Sequence, residues 1–301
     1  MKVLITGATG LIGTQLVAKL AAHKIEVNYL TTTKSSIKSE PSYQGFFWNP
    51  EKDFVDENAI VGVDAIIHLA GASISKRWTR KYKQEIIESR VLSANLLYKL
   101  IKDNPNQVKQ FISGSAIGLY KDSLTEYYTE DNKNVDDSFL GNVVLKWEHA
   151  ADRFSQLGIK VCKIRTGLVL AKEGGMLPQI EKPVKMGFGA AFGSGKQWQS
   201  WIHIHDLVNM YTTALEQQWE GAFNATAPNP VTNDQMTRAI AKKLGKPYFM
   251  PKIPEFVMKL ILGEMSMLLF ASQKVKSERP LEKGFKFQYE TLEPALENLL
   301  K

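Results

Sequence analysis

Three glycines near the start of the chain have the spacing of a phosphate-binding turn. Gly7, Gly10 and Gly13 follow an apolar, β-branched run at 2–6, and the pattern at 11–20 predicts a helix directly after them. Strand, glycine turn and helix in this order are the context in which such a motif binds a dinucleotide. Gly7 permits a tight turn, Gly10 lets the backbone approach a pyrophosphate, and Gly13 allows the helix to pack closely on the strand. The predicted pyrophosphate contacts are Gly7, Thr9, Gly10, Leu11, Ile12 and Gly13.

The residues that end the second predicted strand bear on the choice of cofactor. This strand covers 26–31 and is followed by Thr32, Thr33 and Lys34, with no carboxylate among them. An acidic residue at this place binds the ribose 2′-hydroxyl of NAD, whereas a basic one accommodates a 2′-phosphate. The hydroxyls of Thr31 and Thr32 together with Lys34 therefore favour NADP over NAD. The alternative for Lys34 is that it only begins a solvated loop.

Composition excludes several other classes of protein. The chain has 301 residues, 44% of them hydrophobic and 23% charged, which is typical of a globular protein with a large core. The net charge of +7 comes from scattered lysines rather than a basic tract, so nucleic acid is not an expected partner. A single cysteine, Cys162, rules out an intrachain disulfide. No apolar run reaches membrane-spanning length and no signal-peptide layout is present, so a cytoplasmic location is expected.

Strand and helix patterns alternate along most of the chain. Buried strands are predicted at 64–69, 108–113 and 159–165, with long helices between them. This alternation predicts an α/β fold, a Rossmann-type doubly wound parallel sheet. We expect a Rossmann domain over 1–227, including an irregular substrate loop at 171–200, and a smaller α-rich C-terminal lobe over 228–301. The apolar face around Met258 and Met265 is expected to pack within that lobe, with a homodimer contact or a membrane-surface role as the alternatives.

Several stretches resemble a known superfamily. VLITGATGLIG, HLAG, SGSAIGLY and WIHIHDL are similar to extended short-chain dehydrogenases/reductases; they lie at 3–13, 68–71, 113–120 and 201–207. KRWTRKYKQEIIESR, KWEHAA and LEKGFKFQYETLEPAL resemble one atypical branch, the NAD(P)-binding epimerase-family proteins with a small C-terminal domain of unknown function; they lie at 76–90, 146–151 and 281–296. The resemblance implies bound NADP and an undefined substrate. Some members of this branch carry a cell-division-inhibitor label.

The resemblance extends the set of cofactor contacts. Leu69, Ala70 and Gly71 end the strand at 64–69, where small residues allow a cofactor to approach. Glu85 and Arg90 face the cofactor by resemblance; the alternative is a surface pair. Val169 follows the strand at 159–165, where it is a candidate for the wall of the nicotinamide pocket. The alternative is that Val169 is a core valine.

In the superfamily a tyrosine transfers the proton that accompanies hydride transfer, a lysine four residues later lowers its pKa, and a serine binds the substrate oxygen. Ser115 matches the serine. The tyrosine is missing, because 139–157 contains none. One alignment places Leu140 and Val144 at the tyrosine and lysine positions, and another places Asn142 at the tyrosine. Tyr120 is the candidate substitute, with Lys146 as a second; the alternatives are a loop aromatic and a solvated lysine.

Two functions from different classes remain. The first is an NADP-dependent oxidoreductase or epimerase-like enzyme for a small polar substrate, with Ser115 and Tyr120 as catalytic residues. The second is a non-catalytic NADP-binding sensor or regulatory protein, which the label carried by some members of the family would connect with cell division. The pair His203 and His205 lacks clustered ligand partners, so no metal site is expected.

Arg165 and the run QWQSW at 197–201 are candidates for the substrate side. Tryptophan and glutamine side chains can stack on a polar ligand and orient it. The alternative for Trp198 and Trp201 is that they only seal the interface between the lobes.

Overall fold

The computed structural model describes residues 1–301, and its centre is a nine-stranded sheet. The strands are β1 (Lys2–Thr6), β2 (Glu26–Thr31), β3 (Ser39–Glu40), β4 (Tyr43–Asn49), β5 (Phe54–Val55), β6 (Ala65–His68), β7 (Gln110–Ala116), β8 (Tyr127–Tyr128), β9 (Lys160–Thr166), β10 (Leu168–Ala171), β11 (Gly174–Gly175), β12 (Trp198–Gln199), β13 (Trp201–His203), β14 (Gly221–Ala225), β15 (Val231–Thr232) and β16 (Lys274–Val275). Seven of them pair in parallel in the order β4, β2, β1, β6, β7, β9, β14. The short strands β3 and β5 add antiparallel to β4.

Ten α-helices connect and cover the strands. They are α1 (Leu11–Ala22), α2 (Arg80–Asp103), α3 (Phe139–Asp152), α4 (Leu177–Lys185), α5 (Ile204–Glu216), α6 (Asn233–Lys243), α7 (Glu255–Leu262), α8 (Met267–Phe270), α9 (Glu278–Glu282) and α10 (Leu292–Leu299). None of them combines the length and the apolar character that a membrane crossing requires. The central sheet and its helices confirm the predicted Rossmann-type α/β fold.

Alternate residues of the central strands enter two separate cores. In β1, Val3 and Ile5 join the core that α1 and α5 cover, whereas Leu4 joins the core that α2 covers. Ile67 and Ile66 of β6 divide in the same way. Both faces of the sheet are therefore buried, which is why these strands have continuous apolar sequences rather than alternating ones.

A third core joins residues from distant parts of the chain. Leu177, Ile180 and Val184 of α4 pack with Met236 and Ile240 of α6 and with residues of α10. Helix α4 lies inside the stretch that the sequence predicts to be irregular, so the structure differs from that expectation. Two prolines make this segment look like a loop in the sequence. Pro178 lies in the first turn of the helix, where a missing N–H costs little, and Pro183 lies inside the helix.

Candidate functional site

The glycine turn between β1 and α1 is built so tightly that side chains do not fit. A Cβ on Gly13 would lie 2.1 Å from the carbonyl oxygen of Gly7, and one on Gly7 would lie 3.0 Å from the backbone of Leu69. Gly7 also has a φ of +71°, which favours glycine. No side chain caps α1 and its first turn has no acidic residue, so its first N–H groups remain available to an anion. Thr9, Gly10 and Leu11 border a cavity of about 530 Å³ that Lys172 and His205 also line.

A buried histidine fixes the loop opposite this turn. The backbone N–H groups of Leu69 and Ala70 each donate to Thr6 Oγ1 at 3.1 Å. The Thr6 hydroxyl therefore donates its own proton to His68 Nδ1 at 2.7 Å, and His68 Nε2–H donates to Ser93 Oγ at 3.1 Å. Burial lowers the pKa of His68 to about 4, which keeps the ring neutral. This network holds the Leu69–Ala70 backbone against Gly7.

The end of β2 carries the residues predicted to select the cofactor. Thr31 Oγ1 accepts from the backbone N–H of Thr33 at 3.2 Å and so closes a small turn. Thr32 and Lys34 are exposed, and Lys34 Nζ lies 5.1 Å from the centre of the Phe47 ring. No carboxylate lies on this segment from 31 to 36. The turn therefore presents hydroxyls and one ammonium group to solvent.

A mainly apolar cavity of about 360 Å³ opens where β7 and β9 end. Ser115, Arg90 and Ile12 line it together with Trp147 of α3 and Gln199 of β12. Leu268 and Ala271, beyond residue 250, close another side of it. The cavity thus joins the predicted serine to the end of the glycine turn.

Helix α3 turns apolar residues toward this cavity. Leu140 and Val144 line it, whereas Asn142 and Lys146 are exposed. Of the two alignments, the one with Leu140 and Val144 at the tyrosine and lysine positions agrees with this geometry. Lys146 faces a different groove, which α2 shares.

Ser115 also belongs to a buried hydrogen-bonded network behind the cavity. Its hydroxyl donates to Glu148 Oε1 at 2.6 Å, and Arg165 holds the same carboxylate in two bonds, from Nε to Oε1 at 2.8 Å and from Nη2 to Oε2 at 3.0 Å. Burial alone would raise the pKa of Glu148, but Arg165, Ser115 and Lys163 together keep it below its usual value. Because the only proton of Ser115 is committed to an ionised carboxylate, its oxygen faces the cavity as an acceptor.

Tyr120 lies in the same network and not in the cavity wall. Its hydroxyl donates to Asn224 Oδ1 at 2.7 Å and accepts from Arg165 Nη1 at 3.0 Å. The side chain is fully buried and stacks on Tyr128. Burial raises the pKa of Tyr120, and this effect exceeds the opposing influence of Arg165 and Asn224, which lower it. We call Ser115, Tyr120, Glu148, Arg165 and Asn224 the Glu148 network.

The remaining predicted residues lie in different parts of the structure, and only some of them reach the cavity. Arg90 lines the cavity, and a Cβ on Gly71 would lie 3.0 Å from its Cζ. Glu85 is exposed and does not line the cavity. Val169 is half-buried against the core beneath α5, outside the cavity wall. His203 is buried, stacks on Tyr289 at 3.9 Å between ring centres, and accepts the backbone N–H of His205.

Sequence reasoning missed Trp147 and Tyr211 in the cavity wall, whereas Trp198, Gln199 and Ser200 of the predicted substrate-side run do line it. Trp147 lies in KWEHAA, one turn after Val144. Its position is available from the sequence once α3 is placed in the correct register. Tyr211 gives no such signal, because it looks like any core residue of an amphipathic helix.

The fold and the glycine turn define a nucleotide-binding Rossmann protein. The model of the NAD dependent epimerase/dehydratase family matches residues 3–225, and a domain of unknown function (DUF1731) matches residues 253–299. The chain belongs to the NAD dependent epimerase/dehydratase family. An epimerase family protein of Staphylococcus aureus is 37% identical over 300 residues, which span 99% of this chain and 98% of that protein. A Staphylococcus saprophyticus relative is 37% identical over 298 residues.

Two solved structures resemble the chain over its whole length. Human epimerase family protein SDR39U1, crystallised with NADPH, is 31% identical with a TM-score of 0.85, and the match covers 99% of each chain. A nucleoside-diphosphate sugar epimerase from Corynebacterium glutamicum is 33% identical with a TM-score of 0.80. That match covers 100% of this chain and 58% of the other.

Proposed function

We propose that this protein binds NADP(H) and presents the nicotinamide to a small polar substrate beside Ser115. The observation that carries the proposal is the uncapped N-terminus of α1 behind a turn whose glycines exclude side chains. Gly7, Thr9, Gly10, Leu11, Ile12 and Gly13 would hold the diphosphate, and Leu69, Ala70 and Gly71 would border it from β6. The human relative crystallised with NADPH supports this assignment.

The proposed preference for NADP rests on the end of β2. Thr31, Thr32 and Lys34 would meet the 2′-phosphate, since hydroxyl and ammonium donors bind phosphate oxygens. The preference is tested by titrating the protein with NADPH, NADP, NADH and NAD in a calorimeter. We expect Lys34→Gln to weaken NADPH more than NADH. Lys38→Gln, an exposed lysine on the same loop, is the matched control.

Two glycine variants separate cofactor binding from folding. Gly10 has a φ of −79°, which alanine adopts freely, and an added Cβ would come no nearer than 3.3 Å to Gly7 O. Gly10→Ala should therefore fold normally yet bind all four nucleotides more weakly. Gly13→Ala should lose stability as well, because its Cβ cannot fit. Unchanged nucleotide affinity in a folded Gly10→Ala protein would contradict the proposed diphosphate site.

In the enzyme interpretation, bound NADPH would supply hydride to a substrate carbonyl, and water would supply the accompanying proton. Ser115 would orient the substrate by accepting a hydrogen bond from one of its hydroxyl groups. Tyr120 would act through Arg165 and Glu148, which fix the hydroxyl of Ser115. A panel of carbonyl compounds and nucleotide sugars, followed by loss of reduced-nicotinamide absorbance, tests for turnover. Ser115→Ala should abolish turnover while NADPH affinity is retained.

A specific observation favours a second candidate, a non-catalytic NADP sensor. The cavity wall contains Leu140 and Val144 where the superfamily has tyrosine and lysine, and its ionisable residues are Arg90 and Tyr211. Neither is poised near neutral pH for proton transfer, because burial raises the pKa of Tyr211 and leaves that of Arg90 at about 10. Tight NADPH binding without oxidation across the panel would favour this candidate.

A further inference from the structure

The wall of the 360 Å³ cavity contains several buried polar atoms that have no hydrogen-bond partner. Seven such side-chain atoms occur in the protein, and four belong to residues of this wall: Arg90 Nε, Trp147 Nε1, Gln199 Oε1 and Tyr211 Oη. Native proteins leave only a few buried polar groups unpartnered. Four around one cavity therefore indicate that a ligand completes them.

Arg90 indicates that this ligand carries a negative charge. Its Nη1 donates to the carbonyl of Ile86 at 2.8 Å, and its Cζ lies 4.9 Å above the Trp147 ring, but it takes part in no ion pair. Burial lowers the pKa of Arg90 to about 10, so the guanidinium stays charged at neutral pH. The side chain is half-buried, but its Nε–H is shielded from water and has no acceptor. A cationic N–H without a partner favours an anionic acceptor in the cavity.

Trp147 places this anion next to Ser115. A Cβ on Gly114, the residue before Ser115, would lie 3.0 Å from Trp147 Cζ2, so the indole spans the space between Arg90 and the β7 end. Ser115 offers an acceptor oxygen because its proton is held by Glu148. Gln199 Oε1 is also an acceptor and is buried. The ligand must therefore bring hydrogen-bond donors to these two oxygens.

We propose that the cavity binds a small hydroxycarboxylate beside the nicotinamide, with its carboxylate on Arg90 and Trp147 and its hydroxyl groups on Ser115 and Gln199. This inference rests on the proposed function, which places the nicotinamide in the same cavity. The volume of about 360 Å³ is near the lower end of the range for ligand pockets, and the nicotinamide occupies part of it. The second ligand is therefore a molecule of a few carbons rather than a nucleotide sugar.

Calorimetric titration of glycolate, lactate and glycerate into NADP-saturated protein tests this inference, with glycerol as the uncharged counterpart of glycerate. We expect at least one of the three acids to bind, and glycerol to bind at least about tenfold more weakly, since a hydrogen bond to a charged group contributes ~1.5–3 kcal/mol. Trp147→Phe removes the indole N–H and leaves a smaller aromatic ring. It should weaken the acid about 10- to 100-fold without changing the affinity for NADP.

A second tryptophan provides the matched control. Trp219 is buried outside the cavity, and its Nε1 already donates to Gln217 Oε1 at 2.8 Å. Trp219→Phe should leave the affinity for the acid unchanged. Both substitutions replace a packed indole by a smaller ring, so the free energy of unfolding is measured for each variant in the absence of ligands.

The outcomes separate this inference from the proposed function. Failure of the wild-type protein to bind any of the four nucleotides overturns both. Binding of NADP without binding of any of the three acids overturns this inference alone. If an acid binds but its affinity does not depend on Trp147 and Arg90, the inference is also overturned. Weaker NADP binding by Trp147→Phe or Arg90→Gln would then assign the unpartnered atoms to the cofactor site.

Discussion

Two buried polar regions meet at Ser115, and they are built in opposite ways. In the Glu148 network, Ser115, Tyr120, Glu148, Arg165 and Asn224 are joined by direct hydrogen bonds of 2.6–3.0 Å. In the cavity wall, Arg90, Trp147, Gln199 and Tyr211 each keep a buried polar atom without a partner. Tyr120 and Tyr211 show the contrast most simply, since both are fully buried but only Tyr120 has hydrogen bonds.

This difference in hydrogen bonding predicts different effects of substitution on protein stability and on ligand binding. Removing one member of a satisfied network leaves its partners buried without hydrogen bonds, and this lowers the free energy of unfolding. Removing a group that has no partner costs nothing in the absence of ligand. We therefore expect substitutions in the Glu148 network to act on folding, and substitutions in the cavity wall to act on ligand affinity.

The largest effect is expected from Arg165→Met. It removes the cation that holds the buried Glu148 carboxylate in two bonds and leaves only Lys163, at 3.6 Å from Oε2. Breaking a buried pair costs about 3–5 kcal/mol of the free energy of unfolding. Urea unfolding measures the loss. Arg238→Met is the control, because its pair with Asp234 is exposed and contributes less than about 1 kcal/mol. Equal losses for the two variants would remove the distinction drawn for the Glu148 network.

Acid should destabilise the protein through His68, another fully partnered buried group. Its pKa is lowered to about 4 in the folded protein, from an ordinary value of 6.5. The unfolded chain binds the proton first, so the contribution is complete above pH 6.5 and is lost as the pH falls toward 4. The loss is roughly 3 kcal/mol, at 1.36 kcal/mol per pKa unit.

A matched variant isolates this contribution. Gln at position 68 can accept from Thr6 and donate to Ser93, but it does not titrate. Urea unfolding of the wild type and His68→Gln between pH 7 and 4 should therefore diverge as the pH falls. Parallel curves would mean that His68 contributes nothing to the acid sensitivity.

Tyr120→Phe should lower the free energy of unfolding by about 1–3 kcal/mol. The change leaves Asn224 Oδ1 without its donor and removes an acceptor from Arg165. Thermal and urea unfolding measure the loss. NADPH affinity should stay unchanged, since Tyr120 does not line the cavity.

Tyr211→Phe is the counterpart and should have the smallest effect on folding, within about 0.5 kcal/mol of the wild type. Its hydroxyl has no partner to lose, so the free energy of unfolding stays level or rises slightly. The same unfolding experiment serves both tyrosine variants. A loss as large as that of Tyr120→Phe would show that the two regions do not differ in this respect.

The sequence predicts the parts of this molecule that follow local rules. The glycine turn and the parallel strands are visible because backbone geometry and burial demand particular residue types at fixed spacing. The α4 helix was not visible, because Pro178 and Pro183 give it the appearance of a loop. Tyr120 was a reasonable candidate from its nearness to Ser115 in sequence, yet the 3₁₀ turn at 117–119 separates the two side chains. Whether Trp147 and Tyr211 have partners depends on tertiary packing that no local pattern encodes.

The third core also bears on how the chain could be divided. Leu177 and Val184 of α4 are buried against Met236 of α6 and Leu296 of α10, on either side of the predicted boundary near 227. A fragment ending at 227 would expose these apolar side chains to water and lose the three residues beyond 250 that line the cavity, Leu268, Ala271 and Gln273. We therefore expect the N-terminal and C-terminal segments to melt together rather than separately. A destabilising substitution in the C-terminal helices would then lower the melting temperature of the Rossmann core as well.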